Sequence, residues 1–212
     1  GPPASAPAAA MGNVILPMWA QCPAFTRALC LGYPALSVAL MVLASTSAGW
    51  LVRALFVCSV RTVTHLRLWT LFVGPFFSPV DSGMSFLFML FEVYMVMAYF
   101  PLQEQELGSS LMFIWTLIVN ALVNAIYLLI MLALSLIYSS SGGAYLEERS
   151  SGIWPLIMVS LTLRCLGDPQ GSTSFWGLVQ IPNRWYPLCL AAFFCLLNGA
   201  RILWSFAAAL AL

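Results

Sequence analysis

The adjacent residues Ser151 and Gly152 are the first candidates for chemistry, because they stand where the polar stretch EERSSG meets an apolar run. A serine hydroxyl becomes a nucleophile only when a base takes its proton. The chain has a single histidine, His65, far upstream of this position. We therefore predict that Ser151 caps the following helix through its side-chain oxygen. We expect no catalytic residue, no metal and no cofactor, and leave room for bound lipids.

The composition is that of an integral membrane protein. Of the 212 residues, 62% are hydrophobic and only 7% are charged, whereas soluble domains carry about 25% charged residues. The formal net charge is +1, which excludes the basic surface typical of nucleic-acid-binding proteins. The six cysteines fall mostly inside or beside apolar runs without a CxxC pair, so we expect packing residues and no disulfide framework.

Runs without charged residues define the candidate transmembrane spans, since about 20 helical residues cross a bilayer core. An apolar stretch after the first run is broken by Pro75 and Pro79, which predicts a loop that is partly embedded in the membrane. The shorter runs must be shielded by neighbouring helices or matched by a thinner bilayer. The predicted runs cover residues 28–52, 84–100, 110–138, 152–163 and 185–197, with a sixth segment after residue 200.

The predicted domain organisation is a tail followed by one membrane domain. Residues 1–24 are biased toward alanine and proline, a composition that builds no core, so we predict an N-terminal tail there. Residues 25–212 form the membrane domain. Arginines flank the runs on both sides, so their distribution favours neither orientation across the membrane.

Three polar residues inside the predicted spans are candidates for intramembrane contacts. Glu92 lies near the middle of the second run, where a charge is costly and needs a partner or a function. The alternatives for Glu92 are an arginine of a partner, a proton-carrying role, or an arginine of this chain such as Arg67. Asn120 and Asn124 lie one turn apart on the third run and share a face. We predict that these amides form interhelical hydrogen bonds, each contributing about 0.6 kcal/mol.

Several landmarks follow one another along the chain: RTVTHLRLWTLFVGPFF, GMSFLFML, GIWPLIMVSLTLR and SFWG…WYPLCLAAFF…NG. In this order and at these distances they resemble the Derlins, the protease-dead branch of the rhomboid superfamily, from about residue 25 to residue 199. The resemblance implies an all-α integral membrane fold. It implies a rhomboid/Derlin-like bundle of five to six transmembrane helices with a membrane-embedded first loop.

The resemblance also implies a pseudoprotease, because the positions that matter in active rhomboids are altered and the sixth segment carries no histidine base. A serine can still donate a hydrogen bond at one of these positions, and a methionine cannot. The matching positions read Leu66-Arg67 for the Trp-Arg pair of the first loop, Ser85 and Met89 for the His-x-x-x-Asn pattern of the second span, and Ser151-Gly152 for the Ser-Gly pair of the fourth span.

Two functions follow from these expectations. The first is a non-catalytic accessory subunit or scaffold of a larger organellar complex, such as a complex of the mitochondrial inner membrane. The alternative is a Derlin-type component of retrotranslocation at the endoplasmic reticulum membrane, which binds transmembrane substrates and thins the bilayer. The chain stops near its sixth segment without the recruitment tail of Derlins, which favours the accessory role. The expected partners are membrane lipids and other transmembrane subunits.

Overall fold

The protein folds mainly into α-helices. The computed structural model describes Trp19 and residues 22–47, 49–78, 83–138, 142–150, 152–175, 179–197 and 202–212. The tail predicted over residues 1–24 lies outside these described residues, except for Trp19 and its last three positions. The helices are α1 (Ala24–Ala44), α2 (Gly49–Phe56), α3 (Val60–Thr64), α4 (Thr70–Val73), α5 (Gly83–Leu107), α6 (Ser109–Ile137), α7 (Gly142–Glu147), α8 (Trp154–Gly167), α9 (Tyr186–Leu197) and α10 (Trp204–Ala211).

Three of the described helices are long and apolar enough to cross a membrane. They are α1, the segment Ser85–Leu107 of α5, and α6. The predicted third run, 110–138, therefore agrees with the observed helix to within one residue at each end. Helices α8, α9 and α10 correspond to the three shorter predicted runs. The structure thus confirms a mostly helical protein whose described part has three helices long and apolar enough to cross a membrane. The count of five to six spans stays a prediction.

The first helix ends earlier than the sequence predicts. The run 28–52 was expected to form one span, but α1 stops at Ala44 and α2 begins after a turn. The hydroxyls of Ser45 and Thr46 donate to backbone carbonyls three residues back, at 2.7 and 2.6 Å. Such side-chain bonds compete with the helical ladder. The prediction of one continuous span is wrong for this reason.

Helix α5 continues beyond residue 100, where the predicted second run ends. Pro101 lies inside the helix, which runs on to Leu107, although proline removes one helical hydrogen bond. The helix stops at Gly108, whose φ of +81° is readily adopted by glycine alone among the common residues. Helix α6 begins at the next residue, so α5 and α6 are joined by a single-residue turn.

The carboxylate of Glu104, near the end of α5, joins three helix ends. It accepts hydrogen bonds of 2.7 Å from the backbone amides of Phe25 and Thr26 and from the Thr26 hydroxyl. A fourth bond of 2.5 Å comes from the hydroxyl of Ser109 at the start of α6. First-turn amides have no acceptor within their own helix, and a negative charge is favourable at a helix N-terminus. Glu104, which is 1% exposed, therefore caps α1 from a different helix.

Helix α8 lies at the centre of the bundle and packs against α5, α6, α9 and α10. Every residue from Pro155 to Leu161 is buried. At its start, the Trp154 ring lies 4.3 Å from the ring of Phe194 and 6.1 Å from that of Phe206, measured between centroids. Because its neighbours cover it, a helix of 14 residues does not need to match the bilayer thickness by itself.

A β-hairpin between α8 and α9 was not predicted. Strands β1 (Ser172–Phe175) and β2 (Val179–Pro182) pair antiparallel, with Thr173 opposite Ile181. Asn183 closes the base of the hairpin, since its Oδ1 accepts from the Thr173 hydroxyl at 2.6 Å and its Nδ2 donates to the Asp168 carbonyl at 2.8 Å. Strands of four residues are too short to give a clear alternating pattern in the sequence.

The cap formed by Glu104 gives a stability prediction. Glu104→Gln removes the negative charge and one acceptor oxygen from four donors, so the free energy of unfolding should fall by about 2 kcal/mol. The control is Glu148→Gln, at an exposed position after α7, which should leave the free energy of unfolding unchanged. Both are measured by reversible unfolding in mixed detergent micelles, followed by circular dichroism. Equal unfolding free energies for the two variants would show that Glu104 does not hold α1.

Candidate functional site

Glu92 is buried where α1, α5 and the start of α8 meet. Its side chain is 2% exposed, and its Oε2 accepts a short hydrogen bond from the hydroxyl of Tyr33. The carboxyl group also interacts with the backbone amide of Ile153. Gly152 lies against it, since a Cβ at that glycine would stand 3.1 Å from Glu92 Oε1. With its φ of +86°, Gly152 is held in a conformation and a space that suit glycine.

The partners of Glu92 and Glu104 come from one face of α1. Thr26, Tyr33 and Ser37 are all buried on this helix, at intervals that repeat on one helical face. Thr26 meets Glu104, and Tyr33 meets Glu92, about two turns further along α1. Ser37 accepts a hydrogen bond of 3.2 Å from the backbone amide of Ser78. The polar side chains on this face of α1 therefore bond to the two carboxyl groups of α5 and to the first loop. The first loop is the segment between α2 and α5, of which residues 57–78 are described.

No arginine with a described side chain pairs with Glu92. Among the described side chains, the ion pair that forms joins Arg61 and Glu147 at 2.5 Å on the surface. Arg67, the alternative partner considered from the sequence, is half-buried in the first loop, where its carbonyl accepts from the Thr70 hydroxyl at 2.8 Å. Its neighbour Leu66 is 80% exposed and has a φ of +61°, which is uncommon for a side chain of this size.

Asn120 and Asn124 attach α6 to the first loop. Asn120 donates to the carbonyl of Phe72 at 3.0 Å, and Asn124 donates to the carbonyl of Leu71 at 2.9 Å. The acceptors are thus backbone carbonyls of the one-turn helix α4, where the sequence suggested bonds between long helices. Asn124 Oδ1 also accepts from the hydroxyl of Ser150 at 3.0 Å. The two amides hold the loop and the approach to α8 on the same face of α6.

The segment before α8 is fixed by backbone bonds to the first loop. The amide of Ser150 donates to the carbonyl of Cys58 at 2.9 Å, and the amide of Gly152 donates to the carbonyl of Phe77 at 2.9 Å. Ser150 and Cys58 form an isolated antiparallel bridge. The amide and hydroxyl of Ser150 and the amide of Gly152 are therefore all bonded within the protein itself.

The cap predicted at Ser151 falls on a residue that lies outside the described part of the chain, so it stays a prediction. Helix α8 begins at Trp154, and its N-cap residue is Ile153, which makes no side-chain capping bond.

A cavity of about 280 Å³ opens beside Glu92. Its wall combines the carboxyl group with the side chains of Ser78 and Ser85 and with the rings of Trp154 and Phe194. Small-molecule sites of this kind are mostly apolar with a few polar groups. Within the described part of the chain, no imidazole lines this cavity, and His65 is exposed at the end of α3.

The two positions matched to the His-x-x-x-Asn pattern separate in the structure. Ser85 lines the cavity together with Glu92. Met89, one turn further along α5, is 1% exposed and belongs to the apolar core. The structure therefore brings together Glu92, Ser85 and Gly152 around this region, and it places Asn120, Asn124 and Arg67 at the first loop.

Two residues of these contacts escaped the sequence interpretation. Glu104 stands in the polar segment QEQEL, beyond the end of the predicted run 84–100. Tyr33 stands in an apolar run, where a tyrosine gives no sign of its partner. The available signal was the spacing of Thr26, Tyr33 and Ser37, which places three hydroxyl groups on one helical face.

Comparison of the chain with family models, curated proteins and solved structures gives no match.

The backbone bond between Ser150 and Cys58 gives a prediction about the reactivity of the Cys58 thiol. Burial raises the pKa of the Cys58 thiol to about 11, although a hydrogen bond with Thr70 acts in the opposite direction. The reactive thiolate is therefore about a thousandth of the population at pH 8, and Cys58 is 0% exposed. In a chain that keeps Cys58 alone, alkylation by a maleimide at pH 8 should be slow. It should rise steeply toward pH 11, as the thiol ionises.

Asn124→Leu should accelerate that alkylation, because it removes the bond from Asn124 to the Leu71 carbonyl and the bond from Ser150 to Asn124. Ser135→Ala, on the same helix but bonded only to the Leu132 carbonyl, is the matched control and should leave the rate unchanged. The measurement is the alkylated fraction against time by mass spectrometry of the intact protein. Rapid alkylation of the parent chain at pH 8, or equal rates in both variants, would contradict the fixed loop.

Proposed function

We propose that this protein is a non-catalytic, rhomboid/Derlin-like membrane protein that acts as an accessory subunit or scaffold of a larger membrane complex. The observation that carries the proposal is the structural use of Ser150 and Gly152. Their amides bond to the first loop, the Ser150 hydroxyl bonds to Asn124, and Gly152 lies against the carboxyl group of Glu92.

The surroundings of Glu92 support the absence of rhomboid-type catalysis. Acyl transfer needs donors aimed at the oxygen that becomes negative. Here the nearby amide of Gly152 donates to the Phe77 carbonyl, and the nearest carboxyl group accepts from Tyr33. An acceptor beside a developing oxyanion opposes its formation. These contacts favour a structural role for this part of the bundle over a catalytic role.

The apolar outer surface supports a role within a membrane assembly. Helices α5 and α6 expose large apolar side chains along much of their length, which face lipid or other transmembrane segments in a bilayer. They include Leu87, Leu90, Leu111, Ile114, Ile118, Leu122 and Leu129.

The short helices favour the second candidate, a Derlin-type component of retrotranslocation. Helices α8 and α9 contain 14 and 12 residues, fewer than the roughly 20 that span an average hydrocarbon core. Helix α8 is covered by its neighbours, but α9 exposes Leu188, Leu196 and Leu197. A short helix that faces lipid draws the bilayer thinner around it, as the alternative function requires.

The experiment is native purification in mild detergent with quantitative mass spectrometry of what remains bound. Stoichiometric recovery with subunits of one organellar complex, such as a mitochondrial inner-membrane complex, is the expected result. Substoichiometric recovery with ubiquitin-pathway or unfoldase components would replace it with the retrotranslocation role. A reporter-cleavage assay accompanies it. Cleavage that is lost in Ser151→Ala but kept in the exposed-site control Ser172→Ala would overturn both non-catalytic functions.

A further inference from the structure

A second cavity, of about 350 Å³, lies between the ends of α5 and α8, apart from the site at Glu92. It extends along α5 from Tyr99 to Glu106 and along α8 from Ser160 to Gly167. The candidate membrane span of α5 runs to Leu107, and its last turn and a half is the polar segment QEQEL. The cavity therefore opens at the level where the hydrocarbon core gives way to lipid headgroups.

Two side chains of opposite charge line this cavity without neutralising each other. Arg164 and Glu106 are both exposed, and among the described residues the ion pair that forms is elsewhere. The guanidinium carbon of Arg164 lies 5.6 Å from the centroid of the Tyr99 ring. This cation–π contact holds the positive charge over the cavity while its donors stay available to a ligand.

A buried hydroxyl in the same wall has no partner. Ser160 is 6% exposed, and its Oγ makes no hydrogen bond within the described part of the chain. The nearby Thr162 shows the usual alternative, because its hydroxyl donates to the carbonyl of Met158 at 2.7 Å. A buried polar group without a hydrogen bond is costly. The orphaned hydroxyl of Ser160 therefore points to a ligand atom in this cavity.

The other carboxylates near this end of the bundle are already occupied. Glu104 is taken up by the start of α1, and Asp168 accepts from the amide of Gly171 at 3.1 Å. Asp168 lines an adjoining cavity of about 440 Å³, which shares Tyr99 and Arg164 with the first. The cavity thus offers one cation, one anion, the amide of Gln103 and a hydroxyl. A simple anion would meet Glu106 unfavourably, whereas a ligand that carries both charges complements the wall.

We propose that this cavity binds the headgroup of a zwitterionic phospholipid with a primary amine. Arg164 and Ser160 donate to the phosphate, and Glu106 and Gln103 accept from the ammonium group. A choline headgroup has no N–H to donate, a glycerol headgroup has no amine, and the carboxylate of a serine headgroup would meet Glu106 unfavourably. Phosphatidylethanolamine is therefore the lipid that satisfies every group. This site is independent of the function proposed above.

The test is native mass spectrometry of the protein released from nanodiscs of equal phosphatidylethanolamine, phosphatidylcholine and phosphatidylglycerol with identical acyl chains. One phosphatidylethanolamine should stay bound after the other lipids are removed. Arg164→Gln should lower its retention about tenfold, the loss expected for a charge-assisted bond to phosphate, and Arg164→Lys should restore part of it. Glu106→Gln should abolish the preference over the other two lipids.

The matched control is Arg184→Gln. Arg184 is also an exposed arginine over an aromatic ring, 5.7 Å from the Trp185 centroid, but it does not line the cavity. It should retain the lipid as the parent protein does. Unfolding curves in detergent, measured for every variant, separate lost binding from lost folding.

Three results would overturn the proposal. One is equal retention of the three lipids by the parent protein, and another is equal retention of phosphatidylethanolamine by Arg164→Gln and Arg184→Gln. The third is equal displacement of the lipid by inorganic phosphate and by soluble O-phosphoethanolamine, which would make this a simple anion site. Displacement by O-phosphoethanolamine and not by inorganic phosphate supports recognition of the headgroup.

Discussion

Two carboxyl groups of α5 hold α1 in the bundle, and the packing of the first loop follows from that attachment. In an apolar surrounding, a polar group that leaves water must find its partner inside the protein. Glu104 takes the free amides at the start of α1, and Glu92 takes the hydroxyl of Tyr33 near its middle. Both contacts lie along one face of α1, so they fix its depth and its rotation together.

The region that the sequence matched to the Ser-Gly pair of rhomboids is built around the second of these contacts. Tyr33 and Glu92 meet next to Gly152, and Ser37 on the same face of α1 accepts from the loop amide of Ser78. On the opposite side, Asn124 bonds to both the loop and Ser150. The segment before α8 is therefore enclosed by hydrogen bonds from three directions. An arrangement of this kind stabilises one geometry and leaves few polar groups for a substrate.

The parts of the fold that sequence could predict are those governed by local composition. Helix α6 was predicted to within one residue at each end, because an uninterrupted apolar run leaves the backbone no alternative to a helix in a membrane. The position where α1 ends and the continuation of α5 beyond Pro101 were not predicted from the sequence. The first depends on side-chain bonds at Ser45 and Thr46. The second is accompanied by a tertiary bond, since Glu104 reaches α1 from the turns beyond the proline.

The residues of the candidate site likewise fall into those that the sequence could identify and those that it could not. Glu92, Asn120 and Asn124 could be selected from the sequence, because polar residues in apolar runs are conspicuous. Their partners could not, since Tyr33, Leu71 and Phe72 look like ordinary apolar positions and are brought near only by the fold. The β-hairpin between α8 and α9 escaped because its strands are short. Resemblance to the Derlins supplied the expectation of a pseudoprotease, and that expectation now has contacts that can be tested.

The most direct test of this account is a double-mutant cycle between Tyr33→Phe and Glu92→Gln, measured by reversible unfolding in lipid bicelles. If the two side chains hold α1 and α5 together, the coupling free energy should be about 1–3 kcal/mol. A parallel cycle between Tyr145→Phe, on α7, and Glu92→Gln should show no coupling. Additive effects of Tyr33→Phe and Glu92→Gln would contradict the central role given to the carboxyl groups of α5.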